Sequence, residues 1–158
     1  MNLFAIGKML AVIAVMTALN PSAEANAPSG QYTVAAATVY DTQTKLTWQR
    51  TVSTTTGWSA VKDYCSSAAV SSALGGSGWR LPTYKELLTI VDYSQTSSPL
   101  IDRSVFLGTS AITPNNGYFW SATPHVNNSS LEWYVNIGLG VATYANTSLS
   151  GGYVLCVR

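Results

Sequence analysis

An α+β fold, with helices and strands in separate stretches of the chain, is predicted by three features of the sequence. Thr83-Tyr84-Lys85-Glu86 is a capping box, a threonine cap with a glutamate three residues on, and it opens a helix over 83–92 whose buried face is Leu87, Leu88 and Val91. Trp58, Val61, Cys65 and Ala68 recur at helical spacing and form one apolar stripe on a preceding helix. Leu131, Trp133, Val135, Ile137 and Leu139 alternate with Glu132, Tyr134, Asn136 and Gly138, the period-two pattern of a half-buried strand. The predicted order is an N-terminal hairpin, two helices, a long loop region and C-terminal antiparallel strands.

The elements follow from local chemistry. Residues 28–37 read as a leader or a first edge strand. Thr38-Val39-Tyr40 reads as a strand, Asp41-Thr42-Gln43-Thr44 as a turn, and Lys45 to Arg50 as the returning strand with Leu46 and Trp48 on one face. Leu74-Gly75-Gly76-Ser77-Gly78 stops the first helix. Trp79-Arg80-Leu81 is extended, because Pro82 biases the residue before it away from helix. Residues 93–117 mix Ser, Thr, Pro, Asn and Gly with short apolar islands, and a loop of that length is often functional. Tyr118 to Thr123 is a strand and Asn127-Asn128-Ser129-Ser130 a turn. Gly138 and Gly140 mark a bulge or turn, and Val141 to Tyr144 and Gly152 to Val157 complete the sheet.

Composition bounds the compartment and the partners. Lys8, the apolar run Met9 to Leu19 and Ala25-Asn26-Ala27 form a cleavable secretory signal over 1–27, too short in its apolar part for a membrane span. No cysteine follows the cleavage region, which argues against a lipid anchor. The expected location is therefore exported: periplasmic, cell-surface or extracellular. Eight Lys and Arg against seven Asp and Glu leave a formal net charge of +1, with no basic run to hold nucleic acid. An oxidising compartment favours a bond between the only two cysteines, Cys65 and Cys156.

Several segments together resemble a known family. Leu46-Thr47-Trp48-Gln49-Arg50 begins the match, and Trp58-Ser59-Ala60, Tyr64-Cys65 and Leu74-Gly75-Gly76 continue it. Gly78-Trp79-Arg80-Leu81-Pro82-Thr83 with Lys85-Glu86-Leu87-Leu88 is its most specific part. Tyr118-Phe119-Trp120-Ser121-Ala122-Thr123 and Cys156-Val157-Arg158 complete it. Over residues 38–158 the chain resembles the Lcl C-terminal domain family, long a domain of unknown function, named for the C-terminal domain of a bacterial collagen-like adhesin. The resemblance implies a fold similar to the C-type lectin-like fold, in which a cysteine on the first helix pairs with one on the last strand. Cys65 and Cys156 occupy those places. It also raises a homo-oligomer, a trimer, as a state to test.

The lectin-like resemblance raises calcium-dependent sugar binding, and the residues argue against it. Calcium needs about 6–8 oxygen ligands. Thr113-Pro114-Asn115 lacks the acidic or amide residue of the lectin loop, and Trp133 is followed by Tyr134-Val135 rather than Asn-Asp. Formylglycine-generating enzymes share a similar fold but use a cysteine pair for chemistry, and here both cysteines are assigned to the structural bond. Gly75-Gly76-Ser77-Gly78-Trp79 fails the hydrolase Gly-x-Ser-x-Gly pattern at its last position. His125, the only histidine, reads as a solvated turn residue, and zinc is excluded by ligand count. No catalytic, metal or cofactor residues are expected. Arg80 reads as an ion-pair partner of Glu86 or Asp92. The sequons at Asn127, Asn128 and Asn146 read as turns.

Aromatic residues remain as candidates, because sugars stack their apolar faces on rings while polar groups fix orientation. Tyr93, Tyr118, Tyr134 and Tyr144 fall in the loop or on the polar face of strands, with Arg103 as a possible anion contact. Trp48, Trp58, Trp79, Trp120 and Trp133 read as core. The expected function is an exported non-enzymatic binding module for adhesion or cell-surface glycan recognition, without a lectin-type calcium site. The alternative is a structural or assembly subunit of a surface appendage or envelope complex that binds a surface protein.

Overall fold

The chain folds into two sheets joined by its last residues. In the computed structural model residues 28–158 are described, and the predicted signal over 1–27 lies outside them. Strands β1 (Tyr32–Val34), β2 (Thr38–Asp41) and β3 (Thr47–Gln49) form an antiparallel sheet in that order. Part of the 28–37 stretch is thus an edge strand rather than a free leader. The β2–β3 turn is held by the buried Asp41, which accepts from the Gln43 N–H at 2.9 Å and from the Thr44 hydroxyl at 2.8 Å.

Strands β4 (Ser53–Thr54), β5 (Tyr118–Pro124), β6 (Leu131–Asn136), β7 (Val141–Asn146) and β8 (Tyr153–Val154) form the second sheet, ordered β4–β8–β5–β6–β7. Its neighbours are antiparallel except β5 and β8, which meet in parallel at Phe119 and Tyr153. Three short helices lie between β4 and β5 in sequence: α1 (Trp58–Val61), α2 (Ala68–Leu74) and α3 (Tyr84–Thr89). The α+β class is as predicted. Among the described residues no helix is long and apolar enough to cross a membrane.

The predicted first helix is broken in two. Cys65 lies in the turn between α1 and α2, not on a helix. The serines explain the break. Ser66 donates its hydroxyl to the Asp63 carbonyl, and the Ser67 hydroxyl accepts from the Val70 N–H as the cap of α2. Such residues offer the backbone a local alternative to continuing a helix. The apolar stripe still predicts burial for Val61 and Cys65, while Ala68 is exposed. Gly75, at φ 76°, ends α2 in the left-handed region as a glycine stop should.

The capping box at α3 forms as predicted, with the Thr83 hydroxyl accepting from the Glu86 N–H and the Glu86 carboxylate accepting from the Thr83 N–H. The helix is shorter than 83–92: Ile90 is its C-cap, and the Asp92 carboxylate instead accepts from the Ser94 N–H in the following turn. Arg80 pairs with Glu86 rather than Asp92, donating twice at 2.7 and 2.9 Å. The Arg80 hydrogen bonds, with the Thr83 donors adding to them, hold the Glu86 carboxyl down at about 2 against the opposing effect of burial. Unfolded glutamate takes up its proton below about pH 4.3, so the pair's stabilisation is present above that pH and lost as pH falls toward 2. Solvent exposure limits its size to about 1 kcal/mol. Urea titrations at pH 6 and pH 2.5 should show this loss in the wild type, and the Glu86→Gln variant should lack that component.

Two core clusters result. One packs Val39 and Trp48 of the first sheet, Leu87 and Ile90 of the α3 region, Ile101 and Phe106 of the long loop, and Phe119, Val135 and Leu155. The other gathers Val61, Cys65, Trp79, Leu81, Trp120, Val154 and Cys156. Cys65 and Cys156 are bonded to each other across 91 positions, both buried. Residues 156–158 run between β3 and the Trp79-Arg80-Leu81 segment. The Gln49 and Thr47 N–H groups donate to the Cys156 and Arg158 carbonyls, and Arg80 and Val157 exchange two backbone bonds of 2.9 Å. The Arg158 guanidinium stands 4.7 Å from the centre of the Trp79 ring.

Candidate ligand-binding site

The end of the second sheet where β5 finishes and β6 begins carries four aromatic side chains in contact. In the β6–β7 register Trp133 lies directly opposite Tyr144, which places both rings on one face. Their centroids are 5.7 Å apart at 77°. The start of α3 delivers Tyr84, stacked on Trp133 at 4.9 Å and 23°. His125, just past β5, packs against Tyr144 at 4.5 Å and lies near-parallel to Trp133 at 6.3 Å.

A bulge in β5 makes this approach possible. The pairing of β5 with β6 shifts between Trp120 and Pro124. In the gap the Ser121 hydroxyl donates to the Trp133 carbonyl at 2.7 Å, and the Thr123 hydroxyl accepts from the Tyr84 N–H at 3.3 Å. Helix start and strand end are thereby tied, so the rings they carry share one position. Tyr144 is 49% exposed, and Val126, which follows His125 in the chain, is 91% exposed. Tyr84, His125 and Trp133 are half-buried. Exposed Asn127, Asn128, Ser129, Ser130 and Asn146 surround them in the two adjoining turns. Rings packed on one another, with Tyr144 open to solvent and amide and hydroxyl groups nearby, suit an uncharged polyhydroxylated ligand. Glu132, on the opposite face of β6, has its carboxyl pushed up by burial.

The predicted site residues fall in four places. Tyr144 belongs to the cluster above. Tyr118 and Tyr134 pair edge to face at 5.5 Å on the other face of the sheet, where Tyr134 also packs on Trp120. The Tyr118 hydroxyl donates to the Asn115 carbonyl, so this ring braces the long loop. Tyr93 is 68% exposed, but its hydroxyl is committed to the Gly140 carbonyl at 2.6 Å. Arg103 is exposed and donates to the Ser97 hydroxyl at 3.3 Å. The structure therefore does not join the four tyrosines and Arg103 into one surface.

Tyr84, His125 and Trp133 were not among the expected site residues. The alternation over 131–139 assigns Trp133 to the core, but the strand ends at Asn136. There the Asn136 side chain accepts from the Gly138 and Leu139 N–H groups and donates to the Pro114 carbonyl, closing a turn that leaves Leu139 53% exposed. The usable signal was position: Trp133 stands three residues from the Asn-Asn-Ser-Ser turn, at the open end of the sheet.

A separate concavity of about 470 Å³ lies between Trp58, Leu81 and Ala122, with Lys62 and Arg80 also lining it. Among the described residues no group of three or more His, Cys, Asp or Glu is placed to hold a metal ion.

These features define a disulfide-closed α+β domain with an aromatic surface at one sheet end. Residues 37–158 match the Lcl C-terminal domain, and the chain belongs to that family. No curated protein matches the chain.

Proposed function

We propose that the chain is an exported, non-enzymatic binding module that recognises glycans at a cell surface in adhesion, without a lectin-type calcium site. The observation that carries this reading is the contact cluster of Tyr84, His125, Trp133 and Tyr144, partly open to solvent and rimmed by asparagine and serine. The C-type lectin-like fold belongs to the same proposal. It is supported by a disulfide from the α1–α2 turn to the C-terminal segment and by the long loop before the last strands.

The test is a glycan array probed with the oxidised chain, with calcium and with chelator. Selective binding that survives chelator is the expected result. Trp133→Ala and Tyr144→Ala should each weaken a captured glycan by about two- to tenfold, since one ring stack contributes roughly 0.5–1.5 kcal/mol. Binding lost with chelator would reinstate a calcium site, and silence in both conditions would sink the glycan reading.

A second reading, an assembly subunit that binds protein, draws on a different place. Tyr93, Leu139 and Val141 are exposed around the β6–β7 turn, a larger apolar grouping than a fully solvated turn requires. Array silence together with a stable complex on a surface protein would favour it.

A further inference from the structure

The outer edge of the second sheet is an open six-residue strand. β7 ends the strand order, so only β6 pairs with it. The phase of that pairing follows from its flanks. The Thr147 N–H donates to the Ser130 carbonyl, and on the other side of β6 the Ile137 N–H donates to the Gly117 carbonyl. Antiparallel ladders alternate. Val141, Thr143 and Ala145 therefore bond toward β6, and the N–H and C=O of Ala142 and Tyr144 point outward. Those outward groups find no partner among the described residues.

Proteins usually blunt such an edge with charge, proline, a bulge or brevity. At the opposite end of this sheet β4 is blunted by brevity, with two residues. β7 has none of these devices: Val141-Ala142-Thr143-Tyr144-Ala145-Asn146 carries no charge and no proline, and its register with β6 is unbroken. Val141 is 47% and Tyr144 49% exposed.

The strand is also complementary in size to its own reverse. About a two-fold axis at Thr143, Val141 opposes Ala145, Ala142 opposes Tyr144, and Asn146 opposes Gly140. Every larger side chain meets a small one, and Thr143 meets its own copy, a cross-strand pair that sheets favour. The outward groups of Ala142 and Tyr144 form the hydrogen-bonded pairs of this register.

We infer that β7 pairs antiparallel with β7 of a second copy of this chain, giving a two-fold dimer centred on Thr143 with one continuous sheet. An isologous contact of this kind closes at two subunits. It differs from the trimer raised by the family resemblance. Because the two-fold axis runs through the sheet, Tyr144 of each copy lies on the same face, and the two aromatic clusters face the same side.

Sedimentation equilibrium of the full oxidised chain over a range of concentrations tests this. A monomer–dimer equilibrium is expected. Hydrogen exchange at the Ala142 and Tyr144 amides should slow as concentration rises. Thr143→Lys should weaken the dimer at least tenfold, because the axis brings two like charges together, while leaving the monomer's melting temperature within a few degrees. Mixing Thr143→Lys with Thr143→Glu should restore a heterodimer, which pairing in another register would not do. A chain that stays monomeric at every concentration, a trimer, or a dimer indifferent to both substitutions would overturn the inference. None of these outcomes depends on whether a glycan binds.

Discussion

Breaking the Cys65–Cys156 bond lowers the unfolding free energy by about 4–5 kcal/mol. The bond closes a loop of 91 positions, so in the unfolded chain it removes much of the freedom that folding must otherwise overcome. A domain of this size has a net stability of about 5–15 kcal/mol, so the loss is a large part of the whole. Reduction without mutation isolates the chain-entropy part. Cys65→Ser or Cys156→Ser adds the cost of placing an unpaired hydroxyl where the cysteines are 1% and 0% exposed, about 1–3 kcal/mol more. Urea denaturation with and without reductant reads both. The reduced protein should unfold at lower urea with a steeper dependence, because its unfolded state exposes more surface. An unchanged midpoint on reduction would mean that the bond contributes nothing to stability.

Phe119→Ala should cost about 3–5 kcal/mol, the range for a buried aromatic. Phe119 is fully buried near the start of β5, opposite Val135 of β6 and beside Tyr153 of β8. Its ring stacks on Tyr153 at 5.3 Å and 20°. Removing it opens a void between three strands that are held in register on both sides, so the site cannot collapse around the gap. Tyr144→Ala, on an open edge, should cost less than about 1 kcal/mol. Chemical denaturation of the two variants side by side checks the contrast. Equal losses would show that the cluster containing Tyr144 is part of the packed core rather than a surface for a ligand.

Local chemistry in the sequence was a good guide wherever one residue decides the backbone. The Thr83–Glu86 box, the Asp41 turn and the Gly75 stop are all where their residue types require them. Burial of Val61 and Cys65 was legible from spacing alone, but helix continuity was not, because the Ser67 cap competes with it. The candidate site was harder to read. Its rings come from α3, the residue after β5, β6 and β7, and only the β5 bulge and the β6–β7 register bring them together. Periodicity reports which face a residue shares, not how far along a strand the covering layer extends. For that reason Trp133 read as core, and four tyrosines spread over three places, with only Tyr118 and Tyr134 together, read as one group.

The placement of residues 156–158 has a consequence for synthesis. On the side away from β2, β3 finds its backbone partners more than a hundred positions downstream, and Trp79-Arg80-Leu81 finds its own there too. A ribosome releases those partners only after every other described element has emerged. Until then β3 lacks its C-terminal partner and Cys65 lacks its bonding cysteine, so the nascent domain cannot lock early. Contacts at such sequence separation also slow folding once the chain is complete. For a chain proposed to leave the cytoplasm, closure that waits for the last residues would suit passage as an unfolded polypeptide, with the Cys65–Cys156 bond adding its stability in an oxidising compartment.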